Sequence, residues 1–230
     1  MKFDVIILAG GLGTRLQSVV ADVPKPMAPV ANQPFLNHIL KLLPLANINK
    51  IILSVGYKYQ KIEAYYGKSF ENIPIVYSIE DEPLGTGGGI KLALAEVQTE
   101  HCLIMNGDTY FDIDLEQFWQ VHLLCKHNIT LALKQVENPD RYGTVLLQKN
   151  QIIKFSEKEV GLKLGLINGG VYWFNMKTFN DLPSVDKFSF ESDFLEKKVN
   201  QLKMGGYIDG GLFIDIGIPT DYERAQSIFA

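Results

Sequence analysis

A glycine-rich segment near the amino terminus combines residue types that bind phosphate groups. It directly follows a short apolar run and consists of Leu8, Ala9, Gly10, Gly11, Leu12, Gly13, Thr14 and Arg15. Glycine lets the backbone approach a ligand closely and leaves backbone N–H groups exposed to anions. A dinucleotide-binding fingerprint counted from Gly11 would need glycine where the chain has Leu16, and a P-loop would need lysine where it has Thr14. The segment therefore predicts a phosphate-binding loop that belongs to neither of these two classes.

Two cations accompany this loop. Arg15 ends it, and Lys25 follows ten residues later between Pro24 and Pro26. Arginine offers a fork of donors to phosphate oxygens and lysine offers a compact charge, so the pair suits a polyphosphate. A solvated surface position is the alternative for either side chain, and the glycine context favours the binding role.

Two aspartates at the ends of apolar runs could hold a divalent metal ion. Asp108 follows the run 102–105, and Asp215 closes the run 213–214. Carboxylates at strand ends, completed by water, commonly hold Mg²⁺ beside substrate phosphates. As an isolated residue, each would instead be interpreted as a turn or helix-capping aspartate. The four histidines and two cysteines do not have the spacing of a zinc site.

The elements that would carry these residues alternate through the first 135 positions. Apolar periodicity predicts strands at 3–8, 51–55, 73–78, 102–106 and 130–134, and helices at 35–45, 59–66, 88–97 and 115–126. This alternation predicts an α/β fold with a mostly parallel sheet covered on both faces. The carboxyl ends of parallel strands then meet at one edge, which is where such sheets bind ligands.

The pattern changes after about residue 136. Strands are predicted at 143–147, 152–155 and 167–174, and helical periodicity returns only at 190–202 and 220–228. We interpret this second half as antiparallel additions that cover the mouth of the sheet within the same domain.

Composition limits the classes of partner. The chain has 230 residues, 22 basic and 26 acidic side chains and a formal charge of −4, so a general nucleic-acid-binding face is not expected. The apolar run 5–9 is too short for a signal peptide or a membrane span, which predicts a cytoplasmic location without membrane attachment. Any anionic ligand must be held by a local group of cations.

The run from Gly10 to Leu16, followed by Pro24-Lys25-Pro26, resembles the opening of the sugar-1-phosphate nucleotidyltransferases. The resemblance implies a Rossmann-like three-layer α/β sandwich, with Arg15 and Lys25 as catalytic residues. It further implies Mg²⁺ on Asp108 and Asp215, because the N-G-D and D-I-G-x-P segments match the two metal-ligand segments of that family, and Asp108 would also face the sugar phosphate. The implied nucleotide-binding residues of the loop are Leu8, Ala9, Gly10, Gly11, Gly13 and Thr14.

The segment 78–88 resembles the part of the family that meets the nucleobase, with contacts at Glu80, Gly85 and Thr86. Guanine offers two adjacent N–H groups, which suit a carboxylate, whereas uracil and thymine offer one N–H between two carbonyls, which suits an amide. Glu80 therefore favours GTP over UTP. A helix-capping role, the alternative for an acid at this place, fits Glu82 better than Glu80.

The resemblance also places acceptor-side residues in the second half. These sugar-phosphate-binding candidates are Gly143, Glu157, Lys158, Asn168 and Glu191. Glu191 could instead be a helix-start acid. A sugar 1-phosphate is already anionic, so that the reaction needs alignment and charge neutralisation rather than a general base.

The resemblance extends from Phe3 to Asp221 and implies one domain, 1–230, with a nucleotide-binding half (1–135) and a sugar-phosphate-binding half (136–230). No helical extension follows, so we expect a minimal member, monomeric or homodimeric. The predicted reaction joins a nucleoside triphosphate to a sugar 1-phosphate and releases pyrophosphate. Segments 22–30, 56–59 and 82–89 are most similar to bacterial D-glycero-α-D-manno-heptose 1-phosphate guanylyltransferases, which implies a role in making surface polysaccharides such as lipopolysaccharide, capsule or S-layer glycan.

Other functions remain open at this point. Within the family, the alternatives are mannose-1-phosphate guanylyltransferases and the uridylyltransferases of muramate or N-acetylhexosamine 1-phosphate. A non-catalytic nucleotide-sugar sensor is another alternative. Such a protein would lack some of the charged residues Arg15, Lys25, Asp108 and Asp215, all of which are present here. An NAD-dependent dehydrogenase is disfavoured by Leu16 and by the absence of an acid closing the second predicted strand.

Overall fold

The protein is described from a computed structural model that covers residues 2–11, 16, 20, 23–157 and 159–230. The strands of these ranges are Phe3–Leu8 (β1), Pro29–Val30 (β2), Gln33–Pro34 (β3), Ile48–Val55 (β4), Ser69–Phe70 (β5), Ile73–Ile79 (β6), His101–Asn106 (β7), Thr109–Phe111 (β8), Ile129–Glu137 (β9), Thr144–Gln148 (β10), Gln151–Ser156 (β11), Leu164–Asn175 (β12), Met204–Ile208 (β13) and Phe213–Asp215 (β14). The α-helices are Phe35–Leu40 (α1), Tyr59–Tyr66 (α2), Gly85–Leu94 (α3), Leu115–Cys125 (α4), Glu196–Lys198 (α5) and Pro219–Phe229 (α6). Short 3₁₀ turns occupy Lys25–Met27, Leu45–Asn47 and Met176–Asp181, and a π-helical turn occupies Phe190–Leu195.

One mixed sheet of ten strands organises the molecule, in the order β10-β11-β13-β9-β12-β7-β1-β4-β6-β5. Strands β7, β1, β4 and β6 are mutually parallel, as the alternating pattern predicts. Their carboxyl ends therefore lie at one edge of the sheet. The α/β prediction is confirmed, and the sheet is mixed rather than uniformly parallel.

Side chains of the parallel strands alternate between two separate cores. Val5 and Ile7 lie in one core with residues of α1, α4 and α6, whereas Ile6 lies in the other with residues of α3 and the π-helical turn. Because both faces of these strands are covered, they are apolar almost without interruption. This explains why the strands are readable from composition alone.

Strand β12 is where the structure departs most from the sequence interpretation. It pairs antiparallel with β7 on one side and with β9 on the other, so it lies inside the sheet. The prediction that the second half only covers the mouth of the sheet is therefore wrong, and β9 does not adjoin the parallel strands. The physical reason is burial, since residues 170–174 are all fully buried and could not form a surface addition.

The segment before α5 also differs from a simple helix. The predicted helix 190–202 is a π-helical turn from Phe190 to Leu195 that continues into the short α5. The start of this turn and the residues just before it pack against the glycines of α3, where a Cβ atom on Gly88 would clash with the carbonyl oxygen of Asp186 and one on Gly87 would lie 2.9 Å from the Phe190 nitrogen. Glycine in this helix is thus required by the close approach of the 186–190 segment, in spite of its cost in helix stability.

Two small antiparallel pairs lie outside the main sheet. Strand β14 pairs with β8, and β2 pairs with β3 in a hairpin. Neither pair is predicted by periodicity, because strands of two or three residues are too short to show it. None of the helices in the described ranges is long and apolar enough to cross a membrane.

Candidate functional site

Two depressions lie among the loops that follow the parallel strands. We call the first the Glu80 cleft, of about 360 Å³. It is lined by Gly10, Gly56, Tyr57, Lys58, Tyr59, Gln60, Ile79, Glu80, Asp81, Glu82 and Pro83. We call the second the Asp215 cavity, of about 220 Å³. It is lined by Lys25, Asn106, Asp108, Thr109, Arg141, Tyr142, Gly143, Glu157, Asn168, Gly169, Gly170, Glu191, Phe213 and Asp215.

The Glu80 carboxylate faces the protein as well as the cleft. Its Oε2 accepts a hydrogen bond from the Leu84 N–H at 3.0 Å, and its Oε1 accepts one from the buried Ser54 hydroxyl at 3.3 Å. A Cβ atom on either Gly10 or Gly89 would come within 2.8 Å of Oε1. The carboxylate is therefore held in a slot that only glycine leaves open, with lone pairs remaining for a ligand.

The same contacts show that the helix-capping role, which the sequence favoured for Glu82, belongs to Glu80. Glu80, not Glu82, accepts a backbone N–H at the start of α3, which has no side-chain cap of its own. Capping and nucleobase contact are thus compatible roles for Glu80, since a carboxylate has about four acceptor positions.

The glycine loop is only partly described. Gly10 lines the Glu80 cleft and Gly11 is exposed beside it, in keeping with backbone contact to a ligand. Leu8 and Ala9 are held by the sheet, because the Leu8 carbonyl accepts the Gly107 N–H and the Ala9 N–H donates to Ser54. The predicted residues Gly13, Thr14 and Arg15 lie outside the described residues.

Gly85 and Thr86 do not line the cleft. Gly85 has a φ of +75°, and a Cβ atom there would lie 2.6 Å from the Phe188 carbonyl oxygen. The Thr86 hydroxyl donates to Glu191 at 2.6 Å and accepts the Phe190 N–H at 2.9 Å. Both residues join the start of α3 to the 188–191 segment, a contact that no local pattern predicts.

Lys25, Asp108 and Asp215 meet in the Asp215 cavity. The Lys25 Nζ lies 2.6 Å from Asp108 Oδ2 and 3.5 Å from Asp215 Oδ1. The small β8–β14 sheet brings the two acids together, because its register pairs Asp215 with Thr109, the residue after Asp108. Burial, and next the nearby Asp108 charge, raise the pKa of Asp215, whereas Lys25 opposes that rise.

Arg141 approaches the same acids from the other side. Its guanidinium donates to Asp221 at 2.9 Å and lies 3.8 Å from Asp215 Oδ2. Asn106 also lines the cavity, and its buried Oδ1 has no hydrogen-bond partner among the described residues. Neither residue was predicted from the sequence to have a role. Asn106 ends a predicted strand and Arg141 lies beside Gly143 in a segment that resembles the family, so each had a signal that could have identified it.

The acceptor-side candidates surround the rest of this cavity. Gly143, Glu157, Asn168 and Glu191 all line it, whereas Lys158 lies outside the described residues. Asn168 donates to the Tyr172 hydroxyl at 2.7 Å, which orients its amide. Glu191 stands in the first turn of the π-helical segment, as a helix-start acid would, and accepts a hydrogen bond from the Thr86 hydroxyl, while its role toward the sugar phosphate stays a prediction.

Most of the residues that line the Glu80 cleft were not predicted as site residues, among them Tyr57, Lys58, Asp81 and Pro83. Lys58 begins α2 with a φ of +54°, and its Nζ lies 5.1 Å from the centre of the Tyr57 ring. Their position directly after the end of β4 or β6 is the signal that could have identified them, because those loops share the ligand-binding edge.

Comparison with known proteins gives a consistent result. The model of the nucleotidyl transferase family matches residues 4–230. The chain is 49% identical to the D-glycero-α-D-manno-heptose 1-phosphate guanylyltransferase of Aneurinibacillus thermoaerophilus, covering 97% of this chain and 96% of that protein. It is 48% identical to the enzyme of the same name from Campylobacter jejuni, covering 95% of this chain and 96% of that protein. The crystal structure of HddC from Yersinia pseudotuberculosis, complexed with GMP-PN, matches with a TM-score of 0.86 and 37% identity over 99% of this chain and all of that one.

Proposed function

Because this chain belongs to the nucleotidyl transferase family, we propose that it transfers a guanylyl group from GTP to D-glycero-α-D-manno-heptose 1-phosphate. The observation that carries the proposal is the convergence of Lys25, Asp108 and Asp215 beside the loops of the parallel strands. In the reaction, a phosphate oxygen of the sugar 1-phosphate attacks the α-phosphorus of GTP. The bond from that phosphorus to the bridging oxygen of the β-phosphate breaks, and pyrophosphate leaves.

Neutralisation of phosphate charge is the main demand of this reaction. Lys25 supplies a cation in the Asp215 cavity, and we assign Arg15 and Lys158 the same task on the nucleotide and sugar-phosphate sides. No general base is needed, because the attacking oxygen belongs to a phosphate group that is already ionised. The residues of this chain act by binding and aligning the two anions.

The residues of the Asp215 cavity fit a divalent cation. Among its described lining residues, two cations face four carboxylates, so an anionic substrate would be repelled without further positive charge. Two carboxylates completed by water and substrate phosphates form a donor set typical of Mg²⁺, and the unpartnered Oδ1 of Asn106 adds a polar oxygen nearby. Asp108 and Asp215 would hold the ion, although in the described ranges no group of three or more acids, histidines or cysteines is placed so that it could hold a metal ion by itself. When bound, it would offset the charge of the reacting phosphates.

In this proposal, each of the two depressions binds one of the two substrates. The nucleotide occupies the Glu80 cleft and the glycine loop, with Glu80 accepting two N–H groups of guanine. Gly85 and Thr86 contribute to nucleotide binding only indirectly in this proposal, because they fix the start of α3 against the 188–190 segment and do not line the cleft. The sugar 1-phosphate occupies the Asp215 cavity, with Gly143, Glu157, Asn168 and Glu191 around the sugar.

The finer predictions about organisation belong to the same proposal. We assign the fold to the Rossmann-like three-layer class, with one domain whose halves bind nucleotide (1–135) and sugar phosphate (136–230). The product would serve the synthesis of a bacterial surface polysaccharide. A cytoplasmic location and a monomeric or homodimeric state also remain predictions.

A substrate matrix tests the proposal. Pyrophosphate release is measured for four nucleoside triphosphates against heptose, mannose, glucose and N-acetylhexosamine 1-phosphates, with Mg²⁺. We expect turnover with GTP and the heptose phosphate to exceed every other combination. Turnover with UTP but not GTP would contradict the role of Glu80, and highest turnover with mannose 1-phosphate would contradict the heptose assignment.

Two variants test the mechanism. Lys25→Ala and Asp108→Ala should each lower turnover by about 10²- to 10³-fold, since one preorganised electrostatic group contributes about that much. Retention of near wild-type rates by both would refute it.

A further inference from the structure

The hairpin formed by β2 and β3 cannot be stable by itself. Each strand has two residues, and Pro29 and Pro34 lie opposite each other in register. Neither proline has an N–H group, so this pair contributes no backbone donor. Isolated two-stranded hairpins are marginal even when every bond is made, so this one needs support from outside.

Gln226 of α6 supplies that support. Its Nε2 donates to the Pro29 carbonyl at 2.6 Å, and its Oε1 accepts the Ala31 N–H at 3.0 Å. One side-chain amide thus makes the donor and acceptor bonds that a neighbouring strand would make. The Tyr222 hydroxyl, one turn earlier on α6, donates to the same Pro29 carbonyl.

The opposite side of the hairpin is held by α1. The buried His38 has its Nε2 3.1 Å from the Val30 carbonyl oxygen. The Phe229 ring, at the end of α6, packs against the His38 ring with centroids 4.2 Å apart. The hairpin is therefore clamped between the first and last α-helices of the described fold.

Lys25 lies only four residues before Pro29. Lys25 stands between Pro24 and Pro26 at the start of a 3₁₀ turn, and the hydrogen bond from the Ala28 N–H to the Lys25 carbonyl oxygen is 3.0 Å long. Fixed proline φ angles and a fully buried Ala28 leave this segment little freedom to adjust. The position of the hairpin therefore restricts the position of the Lys25 backbone, from which the side chain extends to Asp108 and Asp215.

We propose that Gln226 is a positioning residue for nucleotidyl transfer, which acts by clamping the β2–β3 hairpin and so holding the Lys25 Nζ in the Asp215 cavity. The inference rests on the proposed function, because it assigns a task to Lys25. Reacting groups tolerate little displacement, and a misplacement of about 1 Å can cost about 10²-fold in rate. A loosened hairpin allows such a displacement.

Steady-state kinetics of Gln226→Ala tests the inference. We expect kcat to fall about tenfold, with the KM values for GTP and sugar 1-phosphate within about twofold of wild type, since Lys25 acts on the transition state. The thermal unfolding midpoint should change by only a few degrees, because the half-buried Gln226 side chain belongs to neither core. Tyr222→Phe, which removes one of two donors to Pro29, should lower kcat less.

A double-mutant cycle distinguishes positioning from a general structural role. If Gln226 acts through Lys25, adding Gln226→Ala to Lys25→Ala should produce no further fall in kcat. An additional tenfold fall in that background would overturn the proposal, as would a wild-type kcat for Gln226→Ala alone.

Gln120→Ala is the matched control. Gln120 lies on α4 and makes one side-chain bond, to Glu116 at 3.0 Å, away from the hairpin. Its substitution should leave kcat unchanged, and an equal fall would overturn the specific role of Gln226. A wild-type rate for Lys25→Ala would instead refute the proposed function itself, so the two failures are distinguishable.

Discussion

The Glu80 cleft and the Asp215 cavity differ in how they are built. The cleft is lined mainly by two short stretches, 56–60 and 79–83, that follow neighbouring parallel strands. The cavity is lined by residues from Lys25 to Asp215, which converge from both halves of the chain. In the cleft, the Glu80 carboxylate lies in a slot left open by Gly10 and Gly89, whereas in the cavity two cations face four carboxylates. We therefore expect substitutions in the cleft to alter nucleotide recognition, and those in the cavity to alter turnover.

The largest effect is expected from Asp215→Asn in the cavity. The amide keeps the shape but loses the charge, so turnover should fall by about 10²- to 10³-fold, as measured by pyrophosphate release. The GTP KM should change much less. Asp112→Asn, an exposed aspartate close by on the chain, is the control and should retain full activity. A fall of less than tenfold for Asp215→Asn would remove the contrast between the two regions.

The second prediction concerns metal affinity without substrate. The Lys25 ammonium lies close to both acids that would hold a divalent ion, so Lys25→Met should tighten Mn²⁺ binding, by about tenfold in an electron paramagnetic resonance titration. Arg141→Gln removes a more distant cation and should tighten it less. Equal effects of the two variants would show that only net charge matters.

A smaller effect should follow from Glu80→Gln in the cleft. The amide still accepts one bond but presents an N–H group to the nucleobase, so the ratio of kcat/KM for GTP to that for UTP should fall about tenfold. Glu82→Gln, the same change two residues along the cleft, is the matched control and should change this ratio much less. An unchanged ratio for Glu80→Gln would place guanine recognition elsewhere.

The smallest effect on turnover is expected at His122, in a cluster with Thr130 and His127 that belongs to neither region. Burial lowers the pKa of His122 to about 3 and that of His127 to about 4. Because both values lie below the ordinary 6.5, the stability that depends on the neutral rings is complete above about pH 6.5 and is lost as the pH falls toward 4.

His122→Asn tests this pH dependence. The variant should lose less unfolding free energy between pH 7 and pH 4 than wild type does, by about 2 kcal/mol, while its turnover at pH 7.5 stays near that of wild type. Urea unfolding at several pH values measures the difference. Parallel stability curves for the two proteins would contradict the assignment of the acid sensitivity to His122.

Local patterns predicted the order of the elements in the parallel part of the fold, although α1 ends at Leu40 rather than at residue 45 and α3 spans Gly85–Leu94 rather than 88–97. The strand at 3–8 and the helix at 59–66 have their predicted bounds, and the helix 115–126 ends one residue early at Cys125. Such elements are readable because the hydrophobic period is a property of neighbouring residues only. The same patterns did not predict β2, β3, β5, β8 and β14, which have two or three residues and are too short to show a period, nor the five-residue β13.

The candidate site divides in the same way. Residue types and the family resemblance identified Lys25, Asp108 and Asp215 as charged site candidates. The structure brings Lys25 within hydrogen-bond distance of Asp108 and within ion-pair distance of Asp215. Arg141 was missed as a member of that set, because its approach to Asp215 depends on α6 and on the β8–β14 register. The roles of all these residues remain proposals that the variants above test.

The sequence by itself determined the α/β class, the family and the chemistry of the loops, because these depend on residue type and local spacing. Only the tertiary structure decided that β12 lies inside the sheet, that Glu80 is held between Gly10 and Gly89, and that α6 clamps the hairpin behind Lys25. Such contacts join residues up to 197 positions apart. They follow from which apolar faces must be buried together and which backbone groups need partners, and no local window of the sequence contains that information.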